Sequence, residues 1–404
     1  MSEGWTCRVN SVFTGISELY TPLERLTRAA LVVSEGEIVW LGPESALPES
    51  YRGWPVTDLG GRGVLPGLVD SHTHLVWAGD RLEEYLRRAR GESYEAILLA
   101  GGGIHQTVEA TQRASEDELY ELAQARAQVL LQGGVTALEI KSGYGLKLEQ
   151  ELKMLRVIKR LRQTGPQRIA ATLLAHVVPG GIKRDAYLEM ITTELIPEVA
   201  NTGLADAVDV FIDQGAFTVA EAGRVFEAAR WHGLAIKGHA EQLTHTGATR
   251  LICELGGLSA DHLEQATEHD WQALAASGTV GTLLPGAALL LRKPFPEARA
   301  MWDLGVKVAV ATDHNPGSSP LFSLLLALQL TVALGGLSVE EALLAGTRHA
   351  ADALGQVSWG RLTPGAVADF VVVDGSQALA PFYYWGHAPI FAVYVAGRPV
   401  MAAR

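Results

Sequence analysis

Eight apolar runs of strand length recur through the middle of the chain, separated by stretches of helical period, and this alternation restricts the fold more than any single motif. "GVTALEI" follows "EDELYELAQARAQVLLQG", "IAATLLAHVV" follows "ELKMLRVIKRLRQ", and "AVDVFID" follows "YLEMITTELIPEVANTG". "GVLPGLVDSHTH" opens the series, and "LAIKGHA", "GLSADHLE", "GTVGTLLPG" and "VKVAVATDHNPG" complete it. Strand alternating with helix implies a parallel sheet. Eight such units over about 290 residues suit a closed (β/α)8 TIM-type barrel better than an open sheet.

The ends of the chain read differently. "AALVVSEGEIVWLG" reads as two strands joined at Glu35-Gly36, and "ADFVVVD" and "FAVYVAGRPV" are β-branched runs near the other end. Residues 1–62 and 360–404 are therefore expected to form one composite β domain, with the barrel spanning 63–359. Apolar residues make up 48% and charged residues 19%, so a core of this size can be buried. The net charge of −12 argues against nucleic acid or an anionic membrane as the main partner. Two cysteines, Cys7 and Cys253, lack CxxC spacing and fit a reducing compartment. The stretch "LFSLLLALQLTVALGGL" is shorter than the ~20 residues a spanning helix needs and reads as a buried helix. The N-terminus has no basic region followed by an apolar one, so a soluble, cytoplasmic protein is expected.

Barrel chemistry sits at the C-terminal ends of the strands. The first strand ends in His72-Thr73-His74, the second at Glu139, the third at His176 and the fourth at Asp213. The fifth carries His239, the sixth His262 and the eighth Asp313. Residues two apart share a face of a strand, so His72 and His74 can both point to the barrel axis. With His239 and Asp313 entering from other strands, three imidazoles and a carboxylate form a donor set for a transition metal. Such an ion lowers the pKa of bound water to about 7.

Each residue also has a plainer role. A lone HxH is weak evidence, His239 or His262 alone would more often be a hydrogen-bonded core residue, and Asp313 alone could cap a helix. Their register at one barrel face favours the metal. His105, His232, His245, His269, His314, His349 and His387 fall outside the pattern and are taken as structural or solvent-facing, with His314 turned away from its neighbour Asp313. "AGGGIHQ", residues 100–106, lacks the signatures of a phosphate loop and reads as a mobile loop or helix entry near the site.

Together these residues carry a resemblance. "PGLVDSHTH", two later strand-end histidines and a terminal "TD" look like the amidohydrolase superfamily, whose members pair a metal-bearing barrel with a small β-sandwich from both chain ends. More narrowly, "HTHLVWAGDR", "AGGGI", "EIKSGYGL", "KGHAEQL", "LSADHLE" and "ATDHNPGSSP" resemble the imidazolonepropionase family. The resemblance implies ring opening of 4-imidazolone-5-propanoate to N-formimidoyl-L-glutamate, one zinc or iron ion on His72, His74, His239 and Asp313, and a homodimer. It implies substrate contacts from Arg81, Tyr144, His176, Gln242, Asn315, Gly317 and Ser318. Asp313 and His262 are expected to move protons. Gln242 belongs with them by position, although some members carry Glu there and an amide carries no proton. Ser318 stands where some members have Thr, and the hydroxyl is kept. Two other readings remain open: an aminohydrolase of a cyclic amidine on the same metal, and a scaffold that has lost catalysis.

Overall fold

The computed structural model describes residues 10–92 and 102–402. The first residues of the glycine stretch, 100 and 101, and Cys7 lie outside them. Eight strands form a parallel sheet in chain order: β5 (Leu68–Asp70), β6 (Val135–Lys141), β7 (Arg168–Ala175), β8 (Ala207–Ile212), β9 (Ala235–Ala240), β10 (Ser259–His262), β11 (Val280–Leu283) and β12 (Val308–Val310). All eight coincide with the apolar runs of the sequence. Helices cover the outer face, so β6 is buried at every position.

The cylinder closes between its first and last strands. Asp313 N donates to His72 O at 3.0 Å, His74 N donates to His314 O at 2.9 Å, and Thr73 bridges His314 in parallel. The buried Asp70 carboxylate reinforces the seam, accepting from Thr312 N at 3.0 Å and Thr312 Oγ1 at 2.6 Å.

Several outer helices start where the sequence supplies a reciprocal cap. Ser115 with Glu118, Thr218 with Glu221 and Ser338 with Glu341 each satisfy both orphan N–H groups of a capping box. The apolar stretch near residue 330 is a mostly buried helix, Leu324–Gly335. Among the described residues, no helix is long and apolar enough to cross a membrane.

The β-sandwich is built on one mixed sheet of seven strands in the order β15-β14-β13-β4-β1-β2-β3. β1 (Ser11–Tyr20), β2 (Arg25–Ser34), β3 (Glu37–Pro43) and β4 (Val56–Pro66) come from the first part of the chain. β13 (Phe370–Val373), β14 (Ile390–Val395) and β15 (Arg398–Ala402) come from the last. The halves meet where β13 pairs with β4, over a core in which Phe370 stacks on Tyr394 at 4.5 Å and meets Phe13 edge-on at 5.0 Å. β4 then runs through Gly67 directly into β5. A β-carbon at Gly67 would lie 2.0 Å from Thr136 Oγ1, so only glycine lets the chain pass from one sheet to the other there.

Candidate metal centre and active site

β5 delivers His72 and His74, both buried, onto the barrel axis. His72 Nε2, His74 Nε2 and Asp313 Oδ1 converge: the two nitrogens are 3.3 Å apart, and Asp313 Oδ1 lies 3.5 Å from the first and 3.3 Å from the second. Tetrahedral donors about 2.1 Å from an ion stand roughly 3.4 Å from one another. The spacing of these three atoms therefore fits one transition-metal ion. His239 stands beside them, its ring centre 4.5 Å from that of His72 and 5.7 Å from that of His74, and its donor nitrogen groups with those of His72 and His262. Asp313 reaches the cluster from a left-handed backbone conformation, φ 52°.

Carboxylates behind two of the rings set which nitrogen faces inward. His72 Nδ1 donates to Asp261 Oδ2 at 2.7 Å, and His239 Nδ1 donates to Asp209 Oδ1 at 3.0 Å. Each bond leaves the Nε2 lone pair for a ligand. Burial, together with the Lys141 charge and neighbouring imidazoles, holds the His72 ring well below its ordinary pKa. His239 is also lowered, chiefly by burial against the opposing pull of Asp209. Burial resists ionisation of Asp313, but the His74 hydrogen bond and nearby imidazoles outweigh it and keep the carboxyl below the usual range. Neutral imidazoles beside an ionised carboxylate are the forms that bind metal.

Below the candidate metal ligands the barrel interior is charged, where such barrels ordinarily hold bulky apolar side chains. Lys141 Nζ lies 2.6 Å from Asp209 Oδ2 and 2.7 Å from Glu139 Oε2. Lys237 Nζ lies 3.0 Å from Glu139 Oε1, 2.9 Å from Ser71 O and 3.6 Å from Asp261 Oδ2. Two ammonium groups thus neutralise most of three carboxylates, two of which orient His72 and His239. Sequence reasoning missed Asp209, Asp261, Lys141 and Lys237. Their signal was present: charged residues inside otherwise apolar strands, with Lys237 two residues before His239 on the same face.

A cleft open to solvent, with about 310 Å3 of empty space including its mouth, adjoins the cluster. Tyr144, His176, Gln242, His262, Asn315 and Ser318 line it with His74, His239 and Asp313, and Phe211 adds an apolar wall that the sequence reading did not include. The Tyr144 ring lies 5.4 Å from His176, and burial pushes its hydroxyl pKa upward. Burial and the neighbouring His74 and His239 lower His176 to about 3, and its Nδ1 lies 3.2 Å from Gly143 O. Asn315 organises its own loop: Nδ2 donates to Asp313 O at 2.7 Å, and Oδ1 accepts from Gly317 N and Ser318 N, each at 2.8 Å. Ser318 Oγ stands 3.5 Å from Asp313 Oδ2.

Arg81 lies at the start of α1 (Leu82–Ala89) with its side chain only 8% exposed. It pairs with Glu84, whose other oxygen accepts from Gly103 N at 2.7 Å, just ahead of α2 (Ile104–Arg113). A β-carbon at Gly317 would come within 3.3 Å of Arg81 Nη1, so the guanidinium abuts the loop that edges the cavity.

His262 ends β10 and lines the cavity, its ring centre 5.2 Å from that of His239. Burial lowers its pKa, but Glu264 and then Asp313 outweigh this and raise it. Glu139 and Asp213 do not join the cavity wall. Glu139 lies in the charged layer below, and Asp213 accepts from Leu243 N and Thr244 Oγ1, each at 2.6 Å, fixing the loop after β9. His314 turns away from the cluster to Leu321 O and the Phe322 ring. His245 joins Glu241 and Asp270 in a separate group, but their carboxylates already accept from Thr246 N, Thr249 N and Thr267 N as loop and helix caps.

Residues 64–400 match the model of the amidohydrolase family. An imidazolonepropionase of Deinococcus radiodurans is 46% identical over 399 residues, covering 96% of this chain and 98% of the relative. One from Cupriavidus taiwanensis is 46% identical over 93% of this chain and 92% of its own length. The chain belongs to the imidazolonepropionase family of amidohydrolases. The amidohydrolase fold extends to distant structures. A triazine hydrolase variant superposes with a TM-score of 0.78 at 17% identity, covering 97% of this chain and 95% of its own. A zinc-bound adenosine deaminase of Xanthomonas campestris gives 0.74 at 20% identity, over 98% of this chain and 93% of that one.

Proposed function

We propose that this chain hydrolyses the ring amide of 4-imidazolone-5-propanoate to N-formimidoyl-L-glutamate, a step of histidine degradation. The observation that carries the reading is the convergence of His72, His74 and Asp313, with His239 beside His72, at a cavity that Tyr144, His176, Gln242, Asn315 and Ser318 line. Near 46% identity to imidazolonepropionases along almost the whole chain supports it. His72, His74, His239 and Asp313 would hold one divalent or trivalent ion, zinc or iron. When bound, that ion supplies a Lewis acid and makes hydroxide accessible near neutral pH.

The chain's own groups do the rest. Asp313 accepts the proton of the attacking water. His262 takes that proton from Asp313 and delivers it to the leaving ring nitrogen as the C–N bond breaks. Arg81 holds the propanoate carboxylate with its planar fork. Tyr144, His176, Ser318 and Asn315 orient the ring and tail, and the glycine at 317 lets the tail approach Arg81. Gln242 has no proton to shuttle and acts through its amide hydrogen bonds. In this reading the enzyme is a cytoplasmic homodimer.

The test is coupled. Bound metal is quantified in the purified protein, and loss of imidazolone ultraviolet absorbance is followed with fresh substrate. About one ion per chain, expected of a mononuclear centre, with turnover that disappears in His72→Ala, supports the reading. Metal without ring opening, or ammonia release from cyclic amidines, overturns the substrate assignment.

A further inference from the structure

The turn after β10 carries costs that neither packing nor the metal ligands explain. His262 and Leu263 are consecutive non-glycine residues with φ of 87° and 71°. Left-handed backbone is strained for any residue with a β-carbon, and two in succession persist only where the surroundings enforce them. Here Leu263 N donates to Ala240 O at 3.1 Å and Gln265 N donates to Glu241 O at 2.7 Å, pinning the turn to the end of β9. The turn folds the chain back so that Glu264 lies beside His262. The Glu264 side chain is completely buried, and neither oxygen has a hydrogen-bond donor among the described residues. His262 Nδ1 is likewise buried without a hydrogen-bond partner. These two groups face each other, Glu264 Oε1 standing 3.5 Å from His262 Nδ1. A buried carboxylate without donors is among the most costly arrangements in a protein interior.

We propose that Glu264 is the positioning residue for His262, accepting the Nδ1 proton so that the ring's other nitrogen is presented to the substrate cavity in one tautomer. This rests on the proton-carrying role proposed for His262. The fold uses the same device twice nearby, with Asp261 behind His72 and Asp209 behind His239. A carboxylate behind an imidazole fixes both tautomer and ring orientation. In the two metal-facing rings this leaves a lone pair for the ion. In His262 it leaves an Nε2 lone pair facing the cavity, which takes up a proton and then delivers it to the leaving nitrogen. The strained turn is what brings the carboxylate there, because an extended strand would send residue 264 past the ring.

The test uses the metal-loaded enzyme with Glu264→Gln, His262→Ala and the double variant. Glu264→Gln is expected to lower kcat about 100-fold, the lower range of what a general acid or base contributes, with KM within about threefold and metal content unchanged. In the His262→Ala background, Glu264→Gln should cost nothing more, because its effect passes through the missing ring. Nitrogen-15 NMR of histidine-labelled wild-type enzyme gives a readout independent of turnover: a hydrogen-bonded Nδ1 proton assigned to His262 by its loss in His262→Ala. That measurement needs no Glu264 variant to fold. An Nδ1 without a proton, additive losses in the double variant, or an unchanged kcat in Glu264→Gln would each overturn the proposal. Wild-type enzyme that does not open the imidazolone ring overturns the proposed function instead, and the NMR result still decides Glu264.

Discussion

Replacing Asp209 by Asn separates the role of a buried carboxylate from the role of the candidate metal ligand it touches, His239. Asp209 Oδ1 accepts twice from His239, from N at 3.1 Å and from Nδ1 at 3.0 Å, while Oδ2 meets Lys141 Nζ at 2.6 Å. Asparagine has one carbonyl oxygen to divide between them. Turned to the lysine, which offers only donors, the amide presents its own NH2 to two N–H groups of His239. The ring then regains an acceptor at Nδ1 only by moving its proton to Nε2, the nitrogen that must face the ion. Loss of such a supporting carboxylate ordinarily weakens metal binding 10- to 100-fold, or about 1.4–2.7 kcal/mol. The assay is competition for Zn2+ with a chromophoric chelator, with Asp213→Asn as control. Asp213 is also a buried strand-end carboxylate, but its partners are Gln214 N, Leu243 N and Thr244 Oγ1. Asp209→Asn should release zinc at 10- to 100-fold lower chelator strength, and Asp213→Asn should match wild type. A folded Asp209→Asn protein whose zinc affinity is within twofold of wild type refutes the argument.

Arg81→Ala should raise KM roughly 10- to 100-fold, the worth of a charge-assisted fork to a carboxylate, with metal content intact; unchanged kinetics would remove Arg81 from the site. At the outer surface, Arg184 and the Thr218 cap hold the Glu221 carboxyl down to about 2. A depressed carboxyl contributes stability above its unfolded value, near 4.5, and loses it as pH falls towards 2. Glu221→Gln should therefore narrow the difference in urea-unfolding free energy between pH 6 and pH 3, and an unchanged difference would show that the cap and the Arg184 pair do not stabilise the fold.

The eight strands were legible because the inner strands of a barrel are covered on both faces and so read as uninterrupted apolar runs. His72, His74, His239, His262 and Asp313 were legible because a barrel gathers its strand ends at one mouth, so position along each run already gave location. Tyr144 and Arg81 needed the motif resemblance, since each lies in a segment whose path past the strand end no periodicity fixes. Asp213 shows the limit of the strand-end rule: it occupies the right place in its run, yet two donors of the next loop claim its carboxylate.

Sequence by itself thus determined the barrel, the composite β domain and the identity of the converging donors, because hydrophobic period and residue type are local properties. Tertiary structure alone decided which carboxylate stands behind which histidine. Asp261 and His72 are 189 positions apart, and Lys237 and Ser71 are 166 apart. Closing the barrel brings them within hydrogen-bond distance. Once that interior is sealed from water, each charge must find its partner there, and the partners it finds fix the tautomers on which the candidate metal site depends.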